Sequence, residues 1–124
     1  MPWLTVEKNL RFGLEIKKLP KPEIDERVER IISLLGLESF RNRYPHQLSV
    51  STAQRIIIGR AFAMNPDLLL MDEPTNGLDI PSKSQFRRVI AASLSEEQVL
   101  VISTHQVRDL ESLIDPAIVI DNGR

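Results

Sequence analysis

The sequence predicts an α/β protein in which a helical part is followed by alternating parallel strands and helices. Two observations favour this class. Apolar residues recur at helical spacing over the first forty positions, and two short apolar runs, Leu68 to Met71 and Val99 to Ile102, are separated by a helical pattern. Short, wholly apolar strands joined through helices are typical of a parallel sheet that is covered on both faces. We therefore expect both strands to be buried on both faces.

Three helices are indicated before the first strand. Thr5 can cap the first helix, and the second has Pro22 near its start and Gly36 at its end. The third is expected from about Thr52 to Met64, because Asn65-Pro66 stops it. This order places a helical segment ahead of the first strand.

More elements are indicated after the first strand. Pro81 begins a fourth helix, and a fifth is expected from Gln106 to Ile114. A third strand, Ala117 to Ile120, enters Asn122-Gly123, which favours a hairpin turn. The chain ends one residue later, so we expect the partner strand to be missing and this edge to be cut.

Length and composition indicate one globular domain. The 124 residues suffice for one core, with 42% hydrophobic and 27% charged residues. The formal net charge of −1 gives no support to a general role on nucleic acid or a membrane surface. Cysteine is absent, which excludes disulfides and cysteine-based zinc sites, and no apolar run reaches the ~18–20 residues of a membrane span. We expect a cytoplasmic protein.

Two acids follow the first strand, and a histidine follows the second. The carboxyl ends of parallel strands meet at one edge, where open α/β folds bind ligands, so we expect Asp72, Glu73 and His105 to lie close together. Asp72 can hold Mg²⁺, Glu73 can polarise a water aimed at a γ-phosphate, and His105 can orient that phosphate. The alternatives, acids that only cap a loop and a merely polar loop histidine, stay open.

Serines precede the third helix in the stretch HQLSVSTAQR, His46 to Arg55. Ser49 or Ser51 can cap this helix, and the amide groups at its positive dipole end can bind an anion. A serine in front of a helix is usually only a cap. Its place ahead of the acidic strand makes a second role in phosphate contact a hypothesis.

Together these motifs resemble the ATP-binding subunit of ABC transporters. LSVSTAQR stands where that family has its LSGGQ signature, LLLMDEP matches the Walker B strand, NGLD matches the D-loop with Asp79, and STH matches the switch-histidine loop. The spacings also fit, with 23 residues from Ser49 to Asp72, 7 from Asp72 to Asp79 and 32 from Glu73 to His105. PWLTVEKNLRFGLEI resembles the stretch after the Q-loop of importer-type members, so the resemblance covers essentially the whole chain.

The resemblance implies a fold, a domain division and partners. The fold is a partial P-loop NTPase fold, with a helical subdomain over residues 1–48 and the C-terminal part of the ATPase core over residues 49–124. The implied partners are a second ATP-binding subunit and a membrane-spanning transporter subunit, which holds the protein at the inner face of the cell membrane. No nucleic acid partner is expected.

The resemblance also implies the cofactors ATP and Mg²⁺ and a set of site residues. The resemblance implies that Asp72 binds Mg²⁺, Glu73 is the general base and His105 senses the γ-phosphate. It implies that Ser49, Ser51 and Asp79 contact nucleotide or the dimer partner.

Two departures from the family pattern bear on activity. None of the five glycines, at positions 13, 36, 59, 77 and 123, belongs to a GxxxxGK[ST] phosphate loop, so we expect the first ~80 residues of a family member to be missing. Val50 and Ser51 occupy the two glycine positions of the signature, and Thr52 occupies the glutamine position. A β-branched side chain at Val50 opposes the close approach of a phosphate.

Three hypotheses about function follow. The first is an ATP-hydrolysing transport subunit whose isolated chain binds MgATP weakly or not at all. The second is a non-catalytic fragment, or an engineered or recombined scaffold, that self-associates through exposed sheet edges. The N-terminal part of the sequence resembles importers and the C-terminal part resembles exporters, which motivates the idea of recombination. The third is an ATPase head that acts on DNA or ribosomes, against which the PWLTV stretch and the absence of basic patches count.

Overall fold

The computed structural model describes residues 1–113, which form four α-helices, two parallel strands and three 3₁₀ turns. The helices are α1 (Val6–Ile16), α2 (Lys21–Leu35), α3 (Val50–Ala63) and α4 (Ile80–Ser93). The strands are β1 (Leu68–Asp72) and β2 (Val99–Ser103), and the 3₁₀ turns lie at Glu38–Phe40, Pro45–Gln47 and Val107–Asp109. This order confirms the predicted α/β class.

Cap residues set the ends of the first two helices, as predicted. The side chain of Thr5 accepts a hydrogen bond from the Lys8 amide at 3.4 Å, which begins α1. Gly36 ends α2 in the left-handed conformation, with φ at 62°, which glycine adopts without a steric penalty. α3 begins at Val50, two residues earlier than expected, because Ser49 is its cap.

The core lies between the four helices and one face of the sheet. Buried apolar side chains from all four helices form a single cluster with Leu37, Leu78 and Leu110. Gly59 lets α3 approach α1 and α2 closely, since a Cβ atom there would lie 2.8 Å from Leu35 Cδ1 and 3.0 Å from Leu10 Cδ2. This packing fixes the position of α3, and with it the residues at its N-terminus.

The sheet is covered on one face only within residues 1–113. β1 and β2 pair in parallel, from Leu68 opposite Val99 to Asp72 opposite Ser103. One face packs against the core through side chains that are partly buried: Leu69, Met71, Leu100 and Ile102. The other, which we call the open face, carries four side chains that are 50–68% exposed: Leu68, Leu70, Val99 and Val101.

The predicted burial of both strands on both faces is therefore wrong for the described part of the chain. Successive side chains of a strand point to opposite faces, so a strand that is apolar throughout needs a layer on each side. Residues 1–113 place a layer on one side only. The two apolar runs do form strands, as predicted, but an apolar run alone does not determine which part of the protein covers each face.

The helix predicted from Gln106 to Ile114 is also wrong over its described part. The chain forms the short 3₁₀ turn Val107–Asp109 and then turns as far as Leu113. In an α-helix the carbonyl of Asp109 would accept from the amide of Leu113. Instead it accepts from Arg87 Nη1 at 3.3 Å, and the Leu113 amide donates to the Leu110 carbonyl at 2.8 Å. Contacts with α4 thus replace the helical bond.

Two further expectations lie outside the described residues. These are the strand from Ala117 to Ile120 and the turn at Asn122-Gly123, together with the last residue of the predicted helix, Ile114. Within residues 1–113, every helix is too short or too polar to cross a membrane.

Candidate functional site

Glu73 and His105 meet at the carboxyl ends of the two strands. Oε1 of Glu73 lies 2.7 Å from Nδ1 of His105 and accepts a hydrogen bond from the His105 backbone amide at 3.0 Å. The parallel register brings the strand ends together, and the Glu73 amide extends the pairing by donating to the Ser103 carbonyl at 2.7 Å. The proximity that the sequence predicts for this pair is present in the structure.

The second oxygen of the Glu73 carboxylate is also occupied. Thr104 donates its hydroxyl to Glu73 Oε2 at 3.0 Å. The hydrogen bond from the His105 side chain, followed by the hydroxyl of Thr104 and the backbone amide of His105, holds the pKa of the Glu73 carboxyl below its ordinary value. The carboxylate is therefore ionised and held in a fixed orientation at neutral pH. Sequence reasoning missed Thr104, although its place inside the STH motif is the signal that points to it.

An ionised Glu73 fixes the roles of the two imidazole nitrogens of His105. A carboxylate can only accept, so Nδ1 carries the proton that it donates to Glu73. Nε2 then accepts a hydrogen bond in the neutral ring and donates one in the imidazolium form. The His105 side chain is 71% exposed, and its Nε2 lies 3.5 Å from the side-chain amide nitrogen of Gln106, so a ligand at Nε2 would replace this long contact.

The backbone at Glu73 adopts an unusual conformation. Its φ is +46°, in the left-handed region, which costs a non-glycine residue about 1–2 kcal/mol. Such strained positions persist where the surrounding structure over-determines them, and they cluster at functional sites. Here the hydrogen bonds from Thr104 and His105 provide that determination.

Asp72 ends β1 on the open face, two and four positions after Leu70 and Leu68. Its side chain is exposed, on the opposite side of the strand from the core. Asp72 and Glu73 thus leave the same strand end in different directions, and Glu73 is the one that contacts His105.

The residues around Asp72 fit a magnesium ion only in part. Among residues 1–113, no group of three or more His, Asp or Glu side chains is arranged to hold a metal ion. Mg²⁺ in nucleotide sites commonly takes one or two carboxylates and completes its shell with water and phosphate oxygens. A single exposed carboxylate at Asp72 suits that arrangement, and it does not form a protein-only metal cage.

Ser49 and Val50 form the exposed start of α3. Ser49 caps the helix, because its Oγ accepts from the Thr52 amide at 3.1 Å and lies 2.9 Å from Thr52 Oγ1. The side chain of Val50, directly after it, is 81% exposed. Its branched side chain projects from the first turn, where a ligand would approach the amides of the helix end.

Ser51 and Asp79 are in contact, which joins α3 to the start of α4. The Asp79 amide donates to Ser51 Oγ at 3.2 Å, and Ser51 donates its hydroxyl to Ser82 Oγ at 2.8 Å. Asp79 caps α4 by accepting from the Ser82 amide at 2.8 Å. The structure therefore holds two separate groups of polar contacts, one around Glu73 and one around Asp79.

Arg55 links three helices and was missed by sequence reasoning. Its Nη1 donates to the Leu35 carbonyl at 2.8 Å and to Gln85 Oε1 at 2.6 Å, and its Nη2 donates to Thr52 Oγ1 at 3.0 Å. Burial lowers the pKa of Arg55, while the negative charge of Asp79 opposes that change. The only sequence signal was its place in the Gln-Arg pair that follows the signature.

Comparisons with known proteins place this geometry in a family. A family model described as ABC transporter matches residues 1–76. The sulfate/thiosulfate import ATP-binding protein of Synechocystis sp. is 38% identical over 98% of this chain and 34% of its own length. An uncharacterized ABC transporter ATP-binding protein of Methanocaldococcus jannaschii is 39% identical over 97% of this chain and 45% of its own length. The chain thus spans about a third to a half of these relatives.

Solved structures agree with this similarity. A structure of the ATP-binding subunit of an ABC transporter superposes with a TM-score of 0.85 at 26% identity, over all of this chain and 52% of that chain. A dimeric bacterial ABC transporter cassette gives a TM-score of 0.76 at 28% identity, over 90% of this chain and 50% of that chain. These matches confirm the predicted partial P-loop NTPase fold.

Proposed function

The chain belongs to the ABC transporter family, and we propose that it supplies the C-terminal part of an ATP-hydrolysing transport subunit. The observation that carries this proposal is the contact of 2.7 Å between Glu73 Oε1 and His105 Nδ1 at the carboxyl ends of neighbouring parallel strands. Ligands bind at this edge in open α/β folds. The names of the relatives, among them an import ATP-binding protein, support a role in transport.

In this proposal three residues act on the nucleotide. Glu73 accepts a proton from, or polarises, a water molecule, and its fixed carboxylate sets the direction of that hydrogen bond. His105 presents Nε2 to the terminal phosphate, and Asp72 supplies one oxygen to Mg²⁺. When bound, Mg²⁺ neutralises charge on the phosphate oxygens. The lowered pKa makes Glu73 a weak base, so positioning outweighs basicity in its role.

Two of the remaining predicted site residues are proposed to contact a partner. Ser49 and Asp79 are exposed at the edge formed by α3 and the start of α4, and we assign this edge to the second ATP-binding subunit. Ser51 is buried behind them and supports this edge through its contact with Asp79. The division into a helical subdomain, 1–48, and an ATPase part, 49–124, is proposed on the same basis. The membrane-spanning partner and the place at the inner face of the cell membrane belong to this proposal as well.

We expect the 124-residue chain alone to bind MgATP with a Kd above ~1 mM. The reason is that its sequence holds no GxxxxGK[ST] segment to offer backbone amides and a lysine to the phosphates. Isothermal titration calorimetry with MgATP measures this directly. Micromolar binding that Asp72→Asn abolishes would contradict the expectation.

A fusion tests the roles of the residues themselves. The phosphate-loop part of a family member is joined ahead of Met1, and ATP hydrolysis is measured. We expect turnover in the fusion, and a decrease of about 10²-fold to 10⁴-fold with Glu73→Gln. Glu96→Gln, which changes an exposed glutamate in the turn before β2, is the matched control and should leave the rate unchanged. Equal rates for the Glu73 variant and its parent would refute the assignment.

The open face favours a second candidate function, a self-associating non-catalytic scaffold. Four apolar side chains on this face are at least half exposed: Leu68, Leu70, Val99 and Val101. Both edges of the two-stranded sheet are also unpaired within residues 1–113. Such a surface promotes association. Size-exclusion chromatography with light scattering distinguishes the candidates, because a monomer that persists at high concentration counts against the scaffold.

A further inference from the structure

Ser51 makes contacts that a glycine at this position could not make. Ser51 stands at the second glycine position of the family signature, and its side chain is turned away from solvent, with 9% of the residue exposed. Both hydrogen-bonding capacities of its hydroxyl are used inside the protein. It accepts from the Asp79 amide at 3.2 Å and donates to Ser82 Oγ at 2.8 Å. The hydroxyl thus faces α4 and does not face the open end of α3.

The bonds of Ser51 belong to a closed group of three residues. Asp79 accepts from the Ser82 amide at 2.8 Å, and Ser82 is fully buried. The hydroxyl and amide of Ser82 lower the pKa of the Asp79 carboxyl. Each member of the group is therefore bonded to the other two. Moving Asp79 away from α3 breaks a bond to Ser51.

The turn between Glu73 and Asp79 is braced along its length. The Glu73 carbonyl accepts from the Asn76 amide at 3.1 Å, and the Thr75 carbonyl accepts from the Leu78 amide at 3.2 Å. Thr75 and Leu78 are buried, with 1% and 7% exposed. Anchoring Asp79 to α3 therefore anchors one end of a compact turn whose other end is Glu73.

We propose that Ser51 is a positioning residue whose hydroxyl ties this turn to the start of α3, so that the segment matching the signature braces Asp79. In relatives with glycine at this position no side chain is available for such a bond. The importance of the turn rests on the proposed function, in which Asp79 faces a partner subunit. The bond itself does not depend on that function, and it is testable without nucleotide.

The test compares the parent chain with Ser51→Ala by NMR. Amide hydrogen exchange at Asp79 should be at least about fivefold faster in Ser51→Ala, as expected for the loss of one hydrogen bond. The Asp79 amide proton should also shift upfield in Ser51→Ala, because it loses its acceptor, an effect that a purely steric role of Ser51 would not cause. Ser84→Ala is the matched control, because Ser84 is an exposed serine of α4, and it should change neither quantity.

A measurement on the parent chain guards against a variant that does not fold. Ile80 follows Asp79 at the first helical position, where the amide has no intrahelical partner. The Asp79 amide should therefore exchange at least about tenfold more slowly than the Ile80 amide when both are corrected for intrinsic rates. Equal exchange at Asp79 and Ile80 overturns the proposal, as does a Ser51→Ala chain in which the exchange rate and the proton shift of the Asp79 amide both stay unchanged. Loss of ATPase activity in the fusion has no bearing on either result.

Discussion

Substituting Gly59 tests the packing that positions α3. A Cβ atom at this position would lie 2.8 Å from Leu35 Cδ1, 2.9 Å from Ile31 Cγ2 and 3.0 Å from Leu10 Cδ2. Ordinary carbon contacts are about 3.5–4.0 Å, so the helix or its neighbours must separate by roughly half an ångström or more. Overpacking of this kind costs about 1–3 kcal/mol, and the helix propensity of alanine returns about 1 kcal/mol. Because three branched side chains crowd the site, we take the upper part of that range and expect Gly59→Ala to lose about 1–2 kcal/mol.

Urea denaturation followed by circular dichroism measures the free energy of unfolding. With a slope of about 2 kcal/mol per molar, the middle of the usual range, the midpoint should fall by roughly 0.5–1 M. Gly13→Ala is the matched control, because its Cβ atom would lie 2.6 Å from Sδ of Met64, whose long unbranched side chain can move away. We expect this variant to be neutral or up to about 1 kcal/mol more stable. A Gly59→Ala chain that gains the same stability would refute the close packing of α3.

Three further predictions concern the polar contacts. His105→Ala should raise the pKa of the Glu73 carboxyl, since the His105 side chain is the largest influence that lowers it; an NMR titration that shows no change would contradict the pairing. Lys83→Met should raise the pKa of Asp109, whose carboxylate lies 2.8 Å from Lys83 Nζ. Because the pKa of Asp109 is lowered in the folded state, the ion pair stabilises the fold fully at a pH above the pKa of Asp109 in the unfolded chain, about 3.9. This stabilisation decreases as the pH falls below that value. The urea midpoints of Lys83→Met and the parent should therefore converge in acid. Arg55→Ala should cost about 2–3 kcal/mol in urea denaturation, since it removes three part-buried hydrogen bonds of a charged group, and a loss under about 0.5 kcal/mol would contradict that role.

The local elements were predictable because their signals are local. A cap at Thr5, a left-handed glycine at Gly36 and the apolar runs of the two strands each depend on a few neighbouring residues. The absence of the expected α-helix directly after β2 was not predictable in this way. The Asp109 carbonyl, which would accept within that helix, accepts instead from Arg87 on α4, far away in the sequence.

The candidate site shows the same division between local and distant information. The contact between Glu73 and His105 followed from the order of the strands, because parallel neighbours bring their carboxyl ends together. Neither the left-handed backbone at Glu73 nor the link from Ser51 to Asp79 follows from a pattern of residue types. The first depends on the contacts of Glu73 with Thr104 and His105 after β2, and the second on the separation of α3 and α4.

The open face and the candidate metal ligand Asp72 lie on the same side of the sheet. A single layer packed there would cover the apolar side chains and also lie beside the Asp72 carboxylate. Leu68, Leu70 and Asp72 alternate with the core-facing residues of β1, so whatever covers the two leucines also lies beside the carboxylate. In a strand-to-helix connection of a parallel sheet, the helix that covers a face begins at the carboxyl ends of the strands, with its amide groups and positive dipole end at that edge. A helix packed on these apolar side chains therefore brings a phosphate-binding end to Asp72 as it buries them. We propose that the phosphate-loop segment of the fusion covers the open face in this way, and ATP hydrolysis by the fusion tests that proposal.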